Sequence, residues 1–240
     1  MLTSDKPLPL YADRALLRMG IQRFIPWRYA GGQNNVLVVG PSGSGKTVAA
    51  LLLAARLASR VPHARAYVCD FKNADWAFLE GRNHYYSYLD CVRGLDEFHE
   101  AFTARQMGVD PSREPLFLIF DEWQAFCSTL PKPQLAEAQK KLAAVMMLGR
   151  SFGVGHINIA QDAYAQNYGN ARSNFQVAIL MGNISKEAAG MFGLDRKDLS
   201  PVYGPGAGHM LVNGVDLHQI QVPTIREMSP LQAAICQIVE

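Results

Sequence analysis

A glycine-rich loop between a short apolar run and a longer apolar segment is the feature that most constrains the fold. The apolar run covers residues 35–39, and the apolar segment covers residues 48–58. The run predicts a buried strand, and the segment, apolar on nearly all sides, predicts a buried helix. A strand, a glycine-rich loop and a helix in this order indicate an α/β domain with a central, mostly parallel sheet flanked by helices. The loop reads Gly40-Pro41-Ser42-Gly43-Ser44-Gly45-Lys46-Thr47.

The spacing of this loop, Gly-x-x-x-x-Gly-Lys-Thr, is the Walker A or P-loop pattern. Its glycines let successive backbone N–H groups surround an anion, and the next helix points its positive end at the same place. Lys46 would reach the β- and γ-phosphates of a nucleotide, and the Thr47 hydroxyl would ligate Mg²⁺. A glycine-rich turn without a ligand is the alternative. The predicted nucleotide-binding residues are Gly40, Pro41, Ser42, Gly43, Ser44, Gly45, Lys46, Thr47 and Val48.

A second apolar run, residues 116–120, ends in Asp121 and Glu122. The run fits a strand that is buried on both faces, and with a P-loop in the same chain it matches the Walker B pattern. Asp121 would help to hold Mg²⁺, and Glu122 would polarise the attacking water; the alternative is a pair of acids that cap the end of a strand at a turn. A further strand, residues 66–70, lies between the two motifs along the chain. This order, with the Glu directly after the Asp, favours P-loop proteins that hydrolyse ATP over nucleotide kinases and GTPases, so the predicted cofactors are ATP and Mg²⁺.

The rest of the chain predicts more strands and helices of the same domain. A strand over residues 156–160 ends at Gln161, whose side chain could touch the γ-phosphate or the water; the alternative is a loop residue that bonds its own backbone. Asn213-Gly214 predicts a tight hairpin turn. The other predicted elements are helices at 95–107, 134–148, 186–191 and 229–239, and strands at 177–181, 209–212 and 217–222.

Composition limits the class of protein more than its partners. The chain has 240 residues, 49% of them hydrophobic, which is enough for one large α/β domain. A net charge of +2 is no footprint of nucleic-acid binding by itself, although basic residues could be confined to a pore. The chain shows neither an 18-residue apolar window nor a signal peptide. We therefore expect a cytoplasmic protein without direct membrane insertion, with an N-terminal arm (1–34) packed on a motor domain (35–240). Within the arm, Pro7 and Pro9 predict a break at the start, and the apolar residues between 16 and 27 predict a short helix followed by an apolar stretch.

The order of motifs resembles the FtsK/HerA family of ring-forming, DNA-pumping ATPases over residues 35–222. Phe71 and Asp162 depart from the family pattern, which has Pro and Arg-Pro at these places. The resemblance covers a motor core alone, with no winged-helix module expected after it. Besides the Walker motifs, the matching segments are Asp70-Phe71-Lys72 (the family's Asp-Pro-Lys), Gly149-Arg150 to Gly155-His156 with Gln161 (its Gly-Arg-x-x-Gly-Ile-His strand ending in Thr-Gln), residues 173–185, and residues 206–212 (its Pro-Gly-x-Gly strand).

The resemblance implies a homo-oligomer, expected to be a hexamer, with ATP at the subunit interfaces. In this arrangement Glu122 activates water and Gln161 senses the γ-phosphate. An arginine from the neighbouring subunit would stabilise the transition state. Arg150 is the first candidate and Arg172 the second, and each could instead be a surface arginine.

The function implied by the resemblance is ATP hydrolysis that drives DNA translocation in conjugative transfer or mobile-element maintenance. The DNA is expected to be double-stranded and contacted mainly through its phosphates, without sequence preference. A membrane-bound or capsid protein would recruit the motor. The alternatives are a viral genome-packaging ATPase, a nucleotide-dependent switch that binds a protein and never pumps DNA, and a small-molecule kinase, which would need a lid of clustered arginines.

Overall fold

The computed structural model describes residues 6–29, 32–195 and 197–240, in which strands and helices alternate. The strands are β1 (Leu8–Asp13), β2 (Phe24–Trp27), β3 (Asn35–Val39), β4 (Arg65–Asp70), β5 (Tyr85–Ser87), β6 (Leu116–Asp121), β7 (Val154–Ala160), β8 (Val177–Met181), β9 (Ala207–Val212) and β10 (Asp216–Gln221). The helices are α1 (Arg14–Arg18), α2 (Lys46–Arg60), α3 (Cys91–Gln106), α4 (Trp123–Thr129), α5 (Lys132–Leu148), α6 (Lys186–Met191) and α7 (Ser229–Cys236).

All these strands form one sheet in the order β2-β1-β10-β9-β8-β3-β7-β6-β4-β5. Neighbours from β8 to β5 are parallel, and neighbours from β2 to β8 are antiparallel. The predicted fold class, a P-loop α/β domain with a mostly parallel sheet, is confirmed. The C-terminal hairpin is present as well: β9 and β10 meet at Asn213 and Gly214, whose φ values of 52° and 70° suit a tight hairpin turn.

Helices cover both faces of the sheet because successive strand residues point to opposite sides. Val36 and Val38 of β3 belong to the core beneath α2, whereas Leu37 and Val39 belong to the core that holds α3, α4 and α5. Every residue of β3 is buried. The Walker A loop is therefore anchored at both ends, by β3 in the sheet and by α2 on one of its faces.

The N-terminal segment contributes strands where the sequence analysis places only a short helix and an apolar stretch. The helix is α1, and the apolar stretch forms β2, which pairs with β1. Pro9 of β1 and Pro26 of β2 are compatible with a sheet at this position. β1 pairs with β10 only through Ala12 and Asp13, and β2 is the edge strand, so the ladder does not need either proline nitrogen.

Residues 1–5, 30 and 31, which belong to the predicted arm, lie outside the described residues, and the division of the chain at residue 34 stays a prediction. The sequence analysis also does not anticipate β5, which is only 3 residues long, or α4, which follows Glu122 without a loop. Within the described ranges, no helix has both the length and the hydropathy that crossing a bilayer requires.

Candidate nucleotide-binding and catalytic site

Three parallel strands bring the predicted motif residues to one edge of the sheet. The Walker A loop follows β3, Asp121 ends β6, and Gln161 follows β7. These strands pair in register, so the residues at their carboxyl ends lie at the same level. In the sheet, β7 lies between β3 and β6. Gln161, which directly follows β7, therefore lies between the Walker A loop and the Walker B carboxylates. The carboxyl edge of an open α/β sheet is the usual place for a ligand.

The Walker A loop needs glycine at three of its positions. The φ angle is +77° at Gly43 and +92° at Gly45, both in the left-handed region that favours glycine. A Cβ atom at Gly40 would lie 2.4 Å from the carbonyl oxygen of Met181, a distance that no side chain tolerates. The loop is therefore tightly curled, as the prediction of an anion-binding loop requires.

The loop and the first turn of α2 fit the phosphates of a nucleotide. The N-cap of α2 is Gly45, so no side chain caps the first N–H groups of the helix, and such groups attract anions. Ser44 Oγ is buried without a hydrogen-bond partner in the described structure, and a phosphate oxygen would satisfy it. The loop before β9 supports the Walker A loop from the side, since Gly206 donates its N–H to the Ser44 carbonyl at 2.9 Å.

The structure brings Lys46, Glu122 and Gln161 together. Lys46 Nζ lies 3.6 Å from Glu122 Oε1, and Gln161 Nε2 lies 3.4 Å from the same oxygen. Glu122 has a φ of 57°, in the left-handed region, which costs a residue other than glycine about 1–3 kcal/mol. This conformation makes the sharp turn from β6 into α4 beside the Walker A lysine. The set can bind a γ-phosphate through Lys46 and orient a water through Glu122.

Asp121, predicted to support Mg²⁺, is buried beside Glu122. Burial, followed by the charge of Glu122, raises the pKa of Asp121 to about 7, and Lys46 opposes the shift. A divalent cation would keep this carboxylate ionised at neutral pH. The oxygen atoms of Thr47 and Asp121 are donors that suit Mg²⁺. Mg²⁺ usually keeps several waters and substrate phosphates among its ligands, and these would complete the shell. Across the described ranges, no group of three or more His, Cys, Asp or Glu side chains could hold a metal ion.

Sequence reasoning missed one carboxylate at this site, Asp75. Its Oδ2 atom accepts hydrogen bonds from the Thr47 hydroxyl and from Lys72 Nζ, each at 3.3 Å. Asp75 lies in the irregular segment after β4, outside both Walker patterns. The sequence offered one indication, the Asp-x-Lys segment at the end of β4, which suggests that the chain after β4 lies beside the site. It does not indicate which residue after β4 contacts Thr47.

The two predicted arginines lie at the opposite edge of the sheet. Arg150 belongs to the short turn Gly149–Phe152 before β7, and Arg172 to the turn Gly169–Asn174 before β8. Both residues are exposed. The Arg150 guanidinium packs over Gly32, where an added Cβ would lie 2.9 Å from Cζ. Since β7 and β8 run parallel to β3, both arginines are separated from the Walker A loop of their own chain by the length of a strand.

No family model matches the chain, and no curated protein matches it. Solved structures do match it, at low sequence identity. The cytoplasmic domain of the type VII secretion ATPase EccC from Thermomonospora curvata has a TM-score of 0.71 at 19% identity and covers 100% of this chain and 32% of that chain. The pCW3 conjugation coupling protein TcpA with ATPγS has a TM-score of 0.71 at 16% identity and covers 100% of this chain and 72% of that one.

A third similar structure is shorter. The genome-packaging NTPase B204 of Sulfolobus turreted icosahedral virus 2, in complex with AMPPCP, has a TM-score of 0.50 at 13% identity and covers 81% of this chain and 100% of that chain. The present chain spans between about a third and a half of the secretion ATPase chains that it matches. These neighbours are P-loop ATPases of the FtsK/HerA type, and the fold of this chain is the fold that they share.

Proposed function

We propose that this protein is a Mg²⁺-dependent ATPase that works as a ring, expected to be a hexamer, and moves double-stranded DNA through its pore. Conjugative transfer or the maintenance of a mobile element is the proposed setting, with a membrane-bound or capsid protein as the recruiting partner. Lys46 and Thr47 bind the nucleotide and its metal, Asp121 supports the metal, Glu122 activates water and Gln161 senses the γ-phosphate.

One observation carries the proposal: the groups needed for hydrolysis converge at the carboxyl edge of the sheet, whereas the predicted arginines lie exposed at the other edge. The convergence rests on the contacts of Glu122 with Lys46 and Gln161. The structural likeness to a conjugation coupling protein, which extends over the whole of this chain, supports a DNA cargo. The arginines would then act on the site of a neighbouring subunit.

The test is steady-state ATPase activity of the full chain with and without long double-stranded DNA, at low and at moderate salt. We expect DNA to stimulate turnover and added salt to weaken the stimulation, because phosphate contacts release counterions. The Lys46→Ala variant is the control for contaminating ATPases. The DNA motor would be contradicted if the stimulation did not change with salt concentration, or if no DNA changed the turnover.

A second candidate function is an ATPase that acts on a protein. The observation that favours it is the match to ATPases 2 and 3 of Thermomonospora curvata EccC in complex with a signal sequence peptide, with a TM-score of 0.64 over 99% of this chain. Turnover that rises with a peptide or protein cargo and stays unchanged with DNA would select this candidate. A genome-packaging ATPase is the third possibility. Its turnover would also rise with DNA, so the neighbouring genes, rather than this assay, would distinguish it from a motor of conjugative transfer.

A further inference from the structure

The carboxylate of Asp75 contacts the hydroxyl of Thr47, the Walker A residue that is proposed to ligate Mg²⁺. Its Oδ2 atom is 3.3 Å from Thr47 Oγ1, and this contact joins residues 28 positions apart in the chain. Lys72 Nζ approaches the same carboxylate at 3.3 Å. The side chain of Asp75 is 29% exposed and that of Lys72 is 51% exposed, so the group lies at the rim of the site, between the P-loop helix and solvent.

The residues on either side of Asp75 are fixed. The buried carboxylate of Asp70 accepts hydrogen bonds from the backbone N–H groups of Ala74 and Trp76, at 3.0 and 3.1 Å. The Tyr85 hydroxyl donates to the same oxygen at 3.2 Å. Trp76 is only 1% exposed and lies in the core that also contains α2. Asp75 is therefore held in place before any ligand arrives, as a positioned functional group must be.

The chemistry of a threonine ligand explains why such a carboxylate is useful. A hydroxyl has one proton and two lone pairs. When a lone pair is given to Mg²⁺, the proton must point to another acceptor. A carboxylate that accepts a hydrogen bond from the hydroxyl fixes its orientation and makes its oxygen a better electron-pair donor to the metal, as the partners of metal ligands generally do. Lys72 balances the charge of Asp75 and keeps the carboxylate beside Thr47.

We propose that Asp75 is the positioning residue for the Mg²⁺ that accompanies the nucleotide: it accepts a hydrogen bond from the Thr47 hydroxyl and so orients the oxygen lone pair for the metal, with Lys72 holding Asp75 in place. This inference rests on the nucleotide binding in the proposed function, but it is independent of DNA and of hydrolysis. It also gives Lys72, the lysine of the Asp-x-Lys segment, a role that does not require contact with phosphate.

The test measures Mg²⁺ dependence of nucleotide binding rather than turnover. The full chain is titrated with a fluorescent ADP analogue in EDTA and then at increasing MgCl₂. For Asp75→Ala, the Mg²⁺ concentration that gives half of the tightening should rise by about 10- to 100-fold, the usual cost of losing a partner of a metal ligand. The affinity in EDTA should stay unchanged. Asp75→Asn, which keeps an acceptor without the charge, should lie between Asp75→Ala and the parent chain, and so should Lys72→Ala.

The matched control is Asp90→Asn, which removes a carboxylate that pairs with Arg93 on the surface; it should leave the Mg²⁺ dependence unchanged. Equal Mg²⁺ dependence in Asp75→Ala and the parent chain would overturn the inference. An equal loss of affinity with and without Mg²⁺ would also overturn it, since Asp75 would then only maintain the loop. If the parent chain binds no nucleotide in either condition, the proposed function fails and the inference fails with it.

Discussion

The two edges of the parallel sheet hold the predicted catalytic residues in opposite environments. At the carboxyl edge, Lys46, Asp121 and Glu122 are each less than a tenth exposed, and Lys46 and Glu122 form an ion pair. At the amino edge, Arg150 and Arg172 are exposed. Buried charges need partners within their own chain, whereas an exposed arginine is open to a second chain. The residues at the carboxyl edge are therefore brought together within one chain, whereas the arginines at the amino edge would act on the site of another chain.

This contrast bears on the proposed ring. A head-to-tail contact between identical chains is heterologous, and such contacts close into rings when the rotation allows it. Contact of this kind can bring an amino-edge arginine of one copy to the carboxyl-edge site of the next. Each copy would then contribute to two sites, and hydrolysis would depend on assembly.

The largest expected effect is at the amino edge. Arg150→Ala should lower ATPase activity by about 10³-fold or more, the range measured for arginines that act across an interface. Nucleotide binding should be unaffected, because the nucleotide site of each chain is at the other edge. Mixing Arg150→Ala chains with Glu122→Gln chains should restore part of the activity, since a mixed ring contains sites with both groups.

The control for Arg150 is Arg113→Ala, at an exposed arginine that lies over the Phe152 ring near the same edge. It should leave turnover unchanged. Failure of every mixture to regain activity would reject Arg150 as the acting arginine and move the same test to Arg172. If no mixture regains activity for either arginine, the idea that the amino edge of one chain acts on the site of another is wrong.

At the carboxyl edge, Glu122→Gln should lower turnover by about 10²- to 10⁴-fold, the usual contribution of general acid–base catalysis. Glutamine keeps the shape of the side chain but cannot accept a proton from water. ATP binding should persist, because the Walker A loop is unchanged, and a fluorescent nucleotide titration measures it beside the ATPase assay. Hydrolysis at the parent rate would show that the Walker B interpretation is wrong.

A smaller effect is expected for Gln161, which touches Glu122 at a distance of 3.4 Å. A hydrogen bond to a charged group is worth about 1.5–3 kcal/mol, so Gln161→Leu should lower turnover by about 10- to 100-fold. Gln134→Leu, at an exposed residue of α5, is the control. If the two variants behave alike, the position of Gln161 between the Walker motifs has no part in catalysis.

The smallest effect concerns the stability of the nucleotide-free chain. The pKa of Asp121 is raised from 3.8 to about 7, so between these pH values the folded state holds a proton that the unfolded state has lost. This contribution to stability therefore falls as pH rises through that range and levels off above it. Asp121→Asn removes the dependence, and its melting temperature relative to the parent should rise with pH by a few degrees, at about 2–4 °C per kcal/mol.

The measurement is thermal unfolding between pH 5 and 8 without nucleotide or divalent metal. Asp96→Asn, at a half-exposed carboxylate on α3 that pairs with Lys141, should show a difference from the parent that does not change with pH. If the difference in melting temperature between Asp121→Asn and the parent is also independent of pH, the folded state does not hold a proton on Asp121 that the unfolded state has lost.

Local patterns predicted most of the helices and strands of the chain, but they missed two kinds of feature. Pro9 indicated a break at the start of the chain, and no strand was predicted before residue 35. Pro9 and Pro26 nevertheless lie in strands, where their nitrogens need no partner. Glu122 was predicted as the water-activating residue, but its left-handed backbone could not be read from its residue type. Both depend on neighbours that are distant in sequence, which propensity does not include.

By itself, the sequence determined the Walker A loop, the buried strand that ends in Asp121, and the α/β class, because spacing and apolar periodicity are local properties of the chain. Only the tertiary structure decided the strand order, which places Gln161 beside Glu122 and both arginines at the far edge. It also decided that Asp75, rather than another polar residue after β4, faces Thr47. The physical reason is that contacts such as these depend on how strands pair and how loops return, and neither is encoded in the spacing of a single segment.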